Sequence, residues 1–362
     1  MDLFGDLPDP SEENKASTSS PVLDKQGEKN GPKCSDSSEL KRKTTDDNSE
    51  DFPPVKTAKK TKNVEGVFPM KGYFAERKGE REDMQDAHAI IDDYLPLVKN
   101  HDPSIKRLAF YAVFDGHGGA RASKFAADTL HKNLADWFPK GNIEAVEKEI
   151  KKSFVEAFKK TDEAFLKEAT KKKPSWKDGS TACCVLAIND TLYIGNLGDS
   201  KAVLCRYNET QKKWTGLPLS KDHSPSQYEE RIRIQKAGGQ VREGRVMGIL
   251  EVSRSIGDGP YKGHGVSCVP DVKRCQLSNH DRFLLIACDG LWKRFDSQAS
   301  IDFITKTLED PSIGRTEFKS EIDMKYETAC GKLANEAVRR LSADNVTVIL
   351  VSIGAEKPKI IT

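Results

Sequence analysis

The chain has 362 residues, 36% of them hydrophobic, and its 58 basic against 56 acidic side chains leave a net charge of +2. Such balance excludes the whole-chain cationic field that drives nucleic-acid binding, so any basic function must be local. Eight cysteines are scattered without a CxxC pair, the pattern of reduced, mostly buried thiols and not of a stapled secreted domain. No signal-peptide pattern opens the sequence and no stretch of about 18 apolar residues occurs, so a soluble intracellular protein is expected.

From about Pro8 to Glu65 the sequence is rich in Ser, Asp, Glu, Lys and Pro and poor in aliphatics. It cannot bury enough apolar surface to offset chain entropy, and residues 1–65 are expected to be a disordered tail. Two basic clusters lie in it, Lys41-Arg42-Lys43 and Lys56 with Lys59, Lys60 and Lys62. A bipartite nuclear-import signal and a plain solvated charge run stand as alternative readings. Leu3, Phe4 and Leu7 among Asp2 and Asp6 read either as a short docking motif or as a mobile terminus.

A folded domain is expected over 66–357, with 358–362 a short tail. Leu108 to Phe114 is an apolar run that reads as a buried strand. Helical patterns follow at Arg121 to Phe138 and about Ile143 to Lys171, where Val146, Ile150, Phe154, Phe158 and Phe165 recur near helical spacing. Cys183 to Ile188, Leu192 to Leu197 and Ala202 to Tyr207 are short strands separated by turn residues, and their succession predicts one antiparallel sheet. Phe283 to Cys288 and Val346 to Ile353 are further strands, and Gln298 to Leu308 and Ser320 to Leu341 further helices. The expected class is α+β: two stacked antiparallel sheets flanked by pairs of antiparallel helices, an αββα sandwich.

Asp86 precedes a strand-like region, Asp115 and Asp289 each end an apolar run, and Asp344 immediately precedes one. Four carboxylates at strand ends can converge on one rim, where oxygen ligands suit Mg²⁺ or Mn²⁺. Each Asp-Gly taken alone reads more simply as a turn, as at Asp178-Gly179 and Asp258-Gly259. Their neighbours make the pattern more specific. Arg81-Glu82-Asp83-Met84-Gln85-Asp86-Ala87-His88, Val113-Phe114-Asp115-Gly116-His117-Gly118-Gly119, Asp178-Gly179-Ser180-Thr181-Ala182, Asn196-Leu197-Gly198-Asp199-Ser200, Leu250-Glu251-Val252-Ser253-Arg254-Ser255-Ile256-Gly257-Asp258, Ala287-Cys288-Asp289-Gly290-Leu291-Trp292 and Ser342-Ala343-Asp344-Asn345-Val346 follow in order. This series resembles the motifs of the type 2C (PPM) metal-dependent protein serine/threonine phosphatases over about residues 72–353.

The resemblance implies that Asp115 bridges two Mn²⁺ or Mg²⁺ ions, with the Gly116 carbonyl on one and Asp289 and Asp344 on the other. Asp86 would support the metal waters, Arg81 would hold the phosphate in its guanidinium fork, and His117 would protonate the leaving Ser or Thr alkoxide. The nucleophile it implies is water bridging the ions, without a phosphoenzyme. Two residues depart from the family pattern. Gln85 stands where a glutamate is usual, and Lys293 where many members carry an aspartate that shares a third metal with the counterpart of Asp199. Asp199 is thus only a candidate third-metal ligand, and the Lys293 ammonium a partial substitute for that cation. The competing function is a weakened phosphatase-like scaffold that binds phosphoproteins, and a tail-based nucleic-acid binder is a third reading.

Met1 to Pro8 with Lys71 to His88 resemble one subgroup of the family, implying a kinase signalling complex as partner beside phosphoprotein substrates. No nucleic-acid or membrane partner is expected, a monomer is favoured, and location is cytoplasmic, with the nucleus open through the basic clusters. Cys268 to Arg274 satisfies C-x5-R spacing, but its Pro and β-branched residues are poor material for a phosphate nest. His88 is expected to pack or hydrogen-bond beside the site, and His223 and His264 to be loop residues. The stretch Leu219 to Gly265, helical at Gln227 to Ala237, resembles the family's flap beside the catalytic groove, against the simpler reading of a surface excursion.

Overall fold

The computed structural model describes residues 67–99 and 101–354. The tail, its basic clusters, the Leu3-Phe4-Leu7 motif and the expected domain limits fall outside the described residues. Two five-stranded antiparallel sheets form the centre. The first runs in the order Met70–Arg77, Val346–Ile353, Asp281–Ala287, Lys201–Asn208, Lys213–Pro218. The second runs Asp271–Gln276, Thr191–Leu197, Ala182–Ile188, Leu108–Phe114, Ala87–Ile91.

Side chains alternate across each strand, so one strand feeds two cores. Tyr111 and Val113 meet Leu204, Leu284 and Ile349 between the sheets, while Phe110 and Phe114 face Leu130, Leu134, Phe154 and Phe158 of the helices Arg121–Asp136 and Ile143–Thr170. On the far side Phe283, Leu285 and Leu350 pack on Ile301, Ile304 and Leu333 of Ser297–Leu308 and Glu321–Arg339. Water is thereby excluded from both sheet faces. That is why these antiparallel strands read as unbroken apolar runs instead of alternating ones. In the first helix pair Asn133 bonds Thr161 and Asp136 bonds Lys160, contacts that advance along one helix and retreat along the other, as antiparallel packing requires. The helix Ile143–Thr170 starts where the Asn142 side chain accepts the Ala145 amide, a cap that satisfies one orphan N–H. Gly195 is required by this packing, since a Cβ there would lie 2.5 Å from Phe154.

The expected four-layer class holds, with one correction inside it. Ala182–Ile188 and Thr191–Leu197 pair with each other, but Lys201–Asn208 leaves them and pairs with Asp281–Ala287 in the other sheet. The turn Gly198-Asp199-Ser200 makes the transfer, with Gly198 at φ +100°, a conformation open chiefly to glycine. A Gly-Asp turn looks alike in a hairpin and in a sheet change, so local pattern could not separate them. Met70–Arg77, Lys213–Pro218 and Asp271–Gln276, half-exposed strands with mixed composition, were also not distinguishable by periodicity.

Candidate functional site

The ends of the central strands bring the expected carboxylates to one place. Oxygens of Asp115, Asp199 and Asp289 lie within 4.8 Å of one another, and Asp115 belongs equally to a second group with Asp86 and the Cys288 thiol. Asp115 is therefore the member common to both groups. Leu108–Phe114 ends directly before it, Asp281–Ala287 ends before Cys288 and Asp289, and Asp86 precedes Ala87–Ile91. Asp344 lies outside both groups; Arg81 holds it, and Lys293 alone joins it to Asp289. Arg81 grips it through Nε at 3.0 Å and Nη2 at 3.1 Å, and Lys293 Nζ lies 2.6 Å from Asp289 and 3.4 Å from Asp344.

The electrostatics follow from crowding. Burial, helped by the charges of Asp344 and Asp289, pushes Asp86 up to about 7 against hydrogen bonds from Thr347 and Cys288. Burial with the Asp289 charge pushes Asp199 to about 7 in spite of Lys293. Asp115 rises well above the carboxylate range through burial and the charges of Asp86, Asp289, Asp199 and Asp344. Asp289 is raised by burial, with Lys293 opposing and Asp344 adding. At Asp344 burial also acts upward, but the hydrogen bonds and charge of Arg81, with Lys293, outweigh it and leave the carboxyl below its usual range.

Packed acids of this kind favour either protonation or a cation. The carboxylate donors are hard oxygens, the type Mg²⁺ and Mn²⁺ take, so the acids fit such ions, while the Cys288 thiol does not. Gly116, expected to offer its carbonyl, sits in a tight corner, where a Cβ would meet the Gln85 carbonyl at 2.2 Å. Gln85 contributes through its backbone, its amide donating to Asn345 Oδ1 at 2.7 Å and its carbonyl accepting from Ser123.

His117 sits on a small three-stranded sheet formed by Ile256–Gly257, Gly179–Ser180 and Gly116–His117. Its Nε2 meets Asp258 Oδ2 at 2.7 Å. Burial works against the imidazolium, but the charge and hydrogen bond of Asp258 prevail and raise the ring's proton affinity. Asp258 had looked like another Asp-Gly turn; it is buried, and its backbone sits at φ +53°. The Asp178 turn is likewise more than a turn, since its carboxylate is buried and held by Arg121 at 2.9 Å. Cys288, read as an ordinary buried thiol, lies among the acids. The signal for all three was their place inside a motif, while the partners come from distant segments.

Of the other candidates, His88 bonds Glu76 at 2.6 Å and stacks near Phe74. His264 lies in a turn, and His223, a loop residue as expected, is only 2% exposed, with Nδ1 hydrogen-bonded and Nε2 poorly aligned to its neighbour. Cys268 is pushed up to about 11 by burial, and Arg274 is turned to Glu147 at 2.9 Å, so no phosphate nest joins them. The flap carries the helix Tyr228–Lys236 and its own small core of Ile234, Val246, Val252 and Val266. It is a packed substructure.

The sequence profile described as Protein phosphatase 2C matches residues 70–346, and the chain belongs to that family. Among its relatives is the Bos taurus "Integrin-linked kinase-associated serine/threonine phosphatase 2C", 53% identical over 369 residues that cover 98% of this chain and all of the relative. The Homo sapiens protein of the same description is 57% identical over 314 residues, covering 87% of this chain and 80% of its own length. Among solved structures, a C. elegans sex determining protein superposes with a TM-score of 0.64 at 25% identity, covering 81% of this chain and 66% of that one. A serine-threonine phosphatase 2C from Toxoplasma gondii gives 0.63 at 20% identity over 80% and 96%, a likeness of fold.

Proposed function

We propose that this chain is a metal-dependent protein serine/threonine phosphatase that hydrolyses phosphoserine and phosphothreonine without a phosphoenzyme. The observation that supports the reading is that Asp115 belongs to both acidic groups, a position from which its carboxylate could help hold more than one ion. Asp115, Asp289, Asp344 and the Gly116 carbonyl would hold Mn²⁺ or Mg²⁺, with Asp86 behind them orienting water through its bond to Thr347. Asp199 is the candidate for a third ion, with Lys293 already beside its neighbour Asp289. When bound, such ions acidify water and offset charge on the phosphoryl oxygens.

The chain's own groups supply the rest. Arg81, exposed beside Asp344, presents a planar fork that matches two phosphate oxygens. His117, kept protonated more readily by Asp258, is suited to give a proton to the leaving serine or threonine oxygen. By likeness to the mammalian relatives we extend the proposal to phosphoproteins of integrin-linked kinase signalling, acted on by a monomer in the cytoplasm. The test is hydrolysis of a phosphothreonine peptide with Mn²⁺ titrated in and then removed by EDTA. Turnover that needs the metal is expected; a folded protein without turnover at any Mn²⁺ concentration would favour the phosphoprotein-binding scaffold.

A further inference from the structure

A ladder of polar contacts, buried at both ends, runs from the acidic cluster to the flap. It starts at the turn Gly198-Asp199-Ser200. Thr181 locks this turn to Asp115: its amide donates to the Asp115 carbonyl at 2.9 Å, its Oγ1 accepts the Asp115 amide at 3.2 Å, and the same Oγ1 lies 2.8 Å from Ser200 Oγ. A Cβ on Gly198 would come within 2.6 Å of Thr181. The turn thus fixes the backbone of two acids at once.

His223 holds the turn from the other side. Its backbone amide donates to the Gly198 carbonyl at 2.9 Å, and its Nδ1 accepts the Gly198 amide at 3.1 Å. A ring nitrogen that accepts carries no proton, so the ring is the neutral tautomer with hydrogen on Nε2. That nitrogen lies 3.2 Å from Asp271 Oδ2, close but poorly aligned. Asp271 Oδ1 takes Arg254 Nη1 at 2.8 Å, and Arg254 Nη2 reaches Glu230 at 2.7 Å. Glu230 belongs to the flap helix and also accepts from Arg233 and Ser253. The flap in turn touches the cluster electrostatically, because Glu251 adds its charge at Asp289 and Lys293.

Resting on the phosphatase reading, we propose that His223 is a positioning residue with two separable roles: Nδ1 holds the turn that sets Asp115 and Asp199, and Nε2 ties that turn, through Asp271 and Arg254, to the flap. Breaking a link at the buried ends of the ladder, His223 or Glu230, strands a polar group without solvent, whereas Asp271 between them is 43% exposed and open to water. The misaligned Nε2 contact is the loosest rung. It is the place where the flap yields to a peptide without disturbing the acids.

Two half-mimics separate the roles in the full chain. His223→Asn keeps an oxygen near the place of Nδ1 and removes the Nε2 donor; His223→Gln reaches the Nε2 position and removes the Nδ1 acceptor. The readouts are Mn²⁺ binding by calorimetry, KM for a phosphothreonine peptide against p-nitrophenyl phosphate, and amide exchange by mass spectrometry. His223→Gln is expected to weaken Mn²⁺ binding about tenfold and to speed exchange in 196–200. His223→Asn is expected to keep Mn²⁺ affinity within about twofold, raise KM for the peptide about fivefold relative to the small substrate, and speed exchange only in 228–254. Should His223→Gln fail to fold, Asp271→Asn cuts the flap link alone and must reproduce the His223→Asn pattern. Identical patterns in the two variants, or effects that track only a lower Tm, overturn the proposal. A wild-type protein that binds no Mn²⁺ and hydrolyses neither substrate overturns the phosphatase reading instead, and the exchange data still decide whether His223 divides its roles.

Discussion

Glu230 and Asp281 are buried acids held by arginines, Glu230 by Arg233 and Arg254 and Asp281 by both Nε and Nη2 of Arg206. Asp86, Asp115 and Asp199 are crowded together, and among the described residues no arginine bonds to any of their carboxylates. Burial acts upward on Glu230 too, yet hydrogen bonds from Arg233, Arg254 and Ser253 bring it down to about 2, while Asp86 and Asp199 stand near 7. The same fold thus pairs Glu230 and Asp281 with arginines and leaves Asp86, Asp115 and Asp199 without one, the pattern that the proposed metal reading requires.

The largest expected effect that sharpens this contrast is at the shared acid. Asp115→Asn is expected to lower peptide hydrolysis by about a hundredfold or more, since it removes charge from both ligand groups. In EDTA the same variant is expected to melt higher than wild type, because a mutually repelling carboxylate is gone. A lower Tm in EDTA would break the comparison.

Glu230→Ala is the converse. It strands two arginines and is expected to cost about 3 kcal/mol of stability by urea unfolding, with the metal affinity changing far less. A stability loss below about 1 kcal/mol would show that the arginine-held acids are not structural supports.

The two sets also answer pH with opposite sign. Glu230, depressed in the fold, contributes stability above its unfolded pKa of about 4.3 that is lost as pH falls toward about 2. Asp86 and Asp199, raised in the fold, contribute stability that is complete below the unfolded pKa of about 3.9 and lost as pH rises through about 7. In EDTA, Tm is therefore expected to fall between about pH 4 and 7, and Mn²⁺ is expected to reverse that fall. An EDTA melting curve flat over this range would contradict it.

The smallest effect belongs to Lys293, the one lysine that bonds Asp289 and Asp344 together among the described residues. Lys293→Met is expected to tighten Mn²⁺ binding about threefold by calorimetry, because an ion then meets no resident ammonium. Weaker binding would make Lys293 a support and not a competitor.

How far the sequence foretold this arrangement depends on the range of the interaction. Asp115, Asp289 and Asp344 could be placed because each sits at the end of a strand whose residues are apolar on both faces, a local signal. Asp258 could not be paired with His117, which lies 141 positions away in the chain, nor could His223 be seen as buried. A Gly-Asp or Asp-Gly pair has the same turn chemistry wherever it occurs, and only tertiary packing decides whether its carboxylate meets water, an imidazole or another acid. For the same reason the departure of Lys201–Asn208 into the opposite sheet had no local mark. The helices, whose 3.6-residue period spans many turns, were bounded to within a few residues.

The Val346–Ile353 strand lies between Met70–Arg77 and Asp281–Ala287, so the described strand that is made latest fills an inner position. Until it emerges, Met70–Arg77 lacks its described sheet partner and the Asp281–Ala287 edge is open. Closing so long a loop is slow, and the open edge is a template for the wrong partner. Asp344 arrives with the same segment. A growing chain therefore carries Arg81 and Asp115 well before it can oppose them with Asp344, and the candidate centre comes into being only once this strand has emerged.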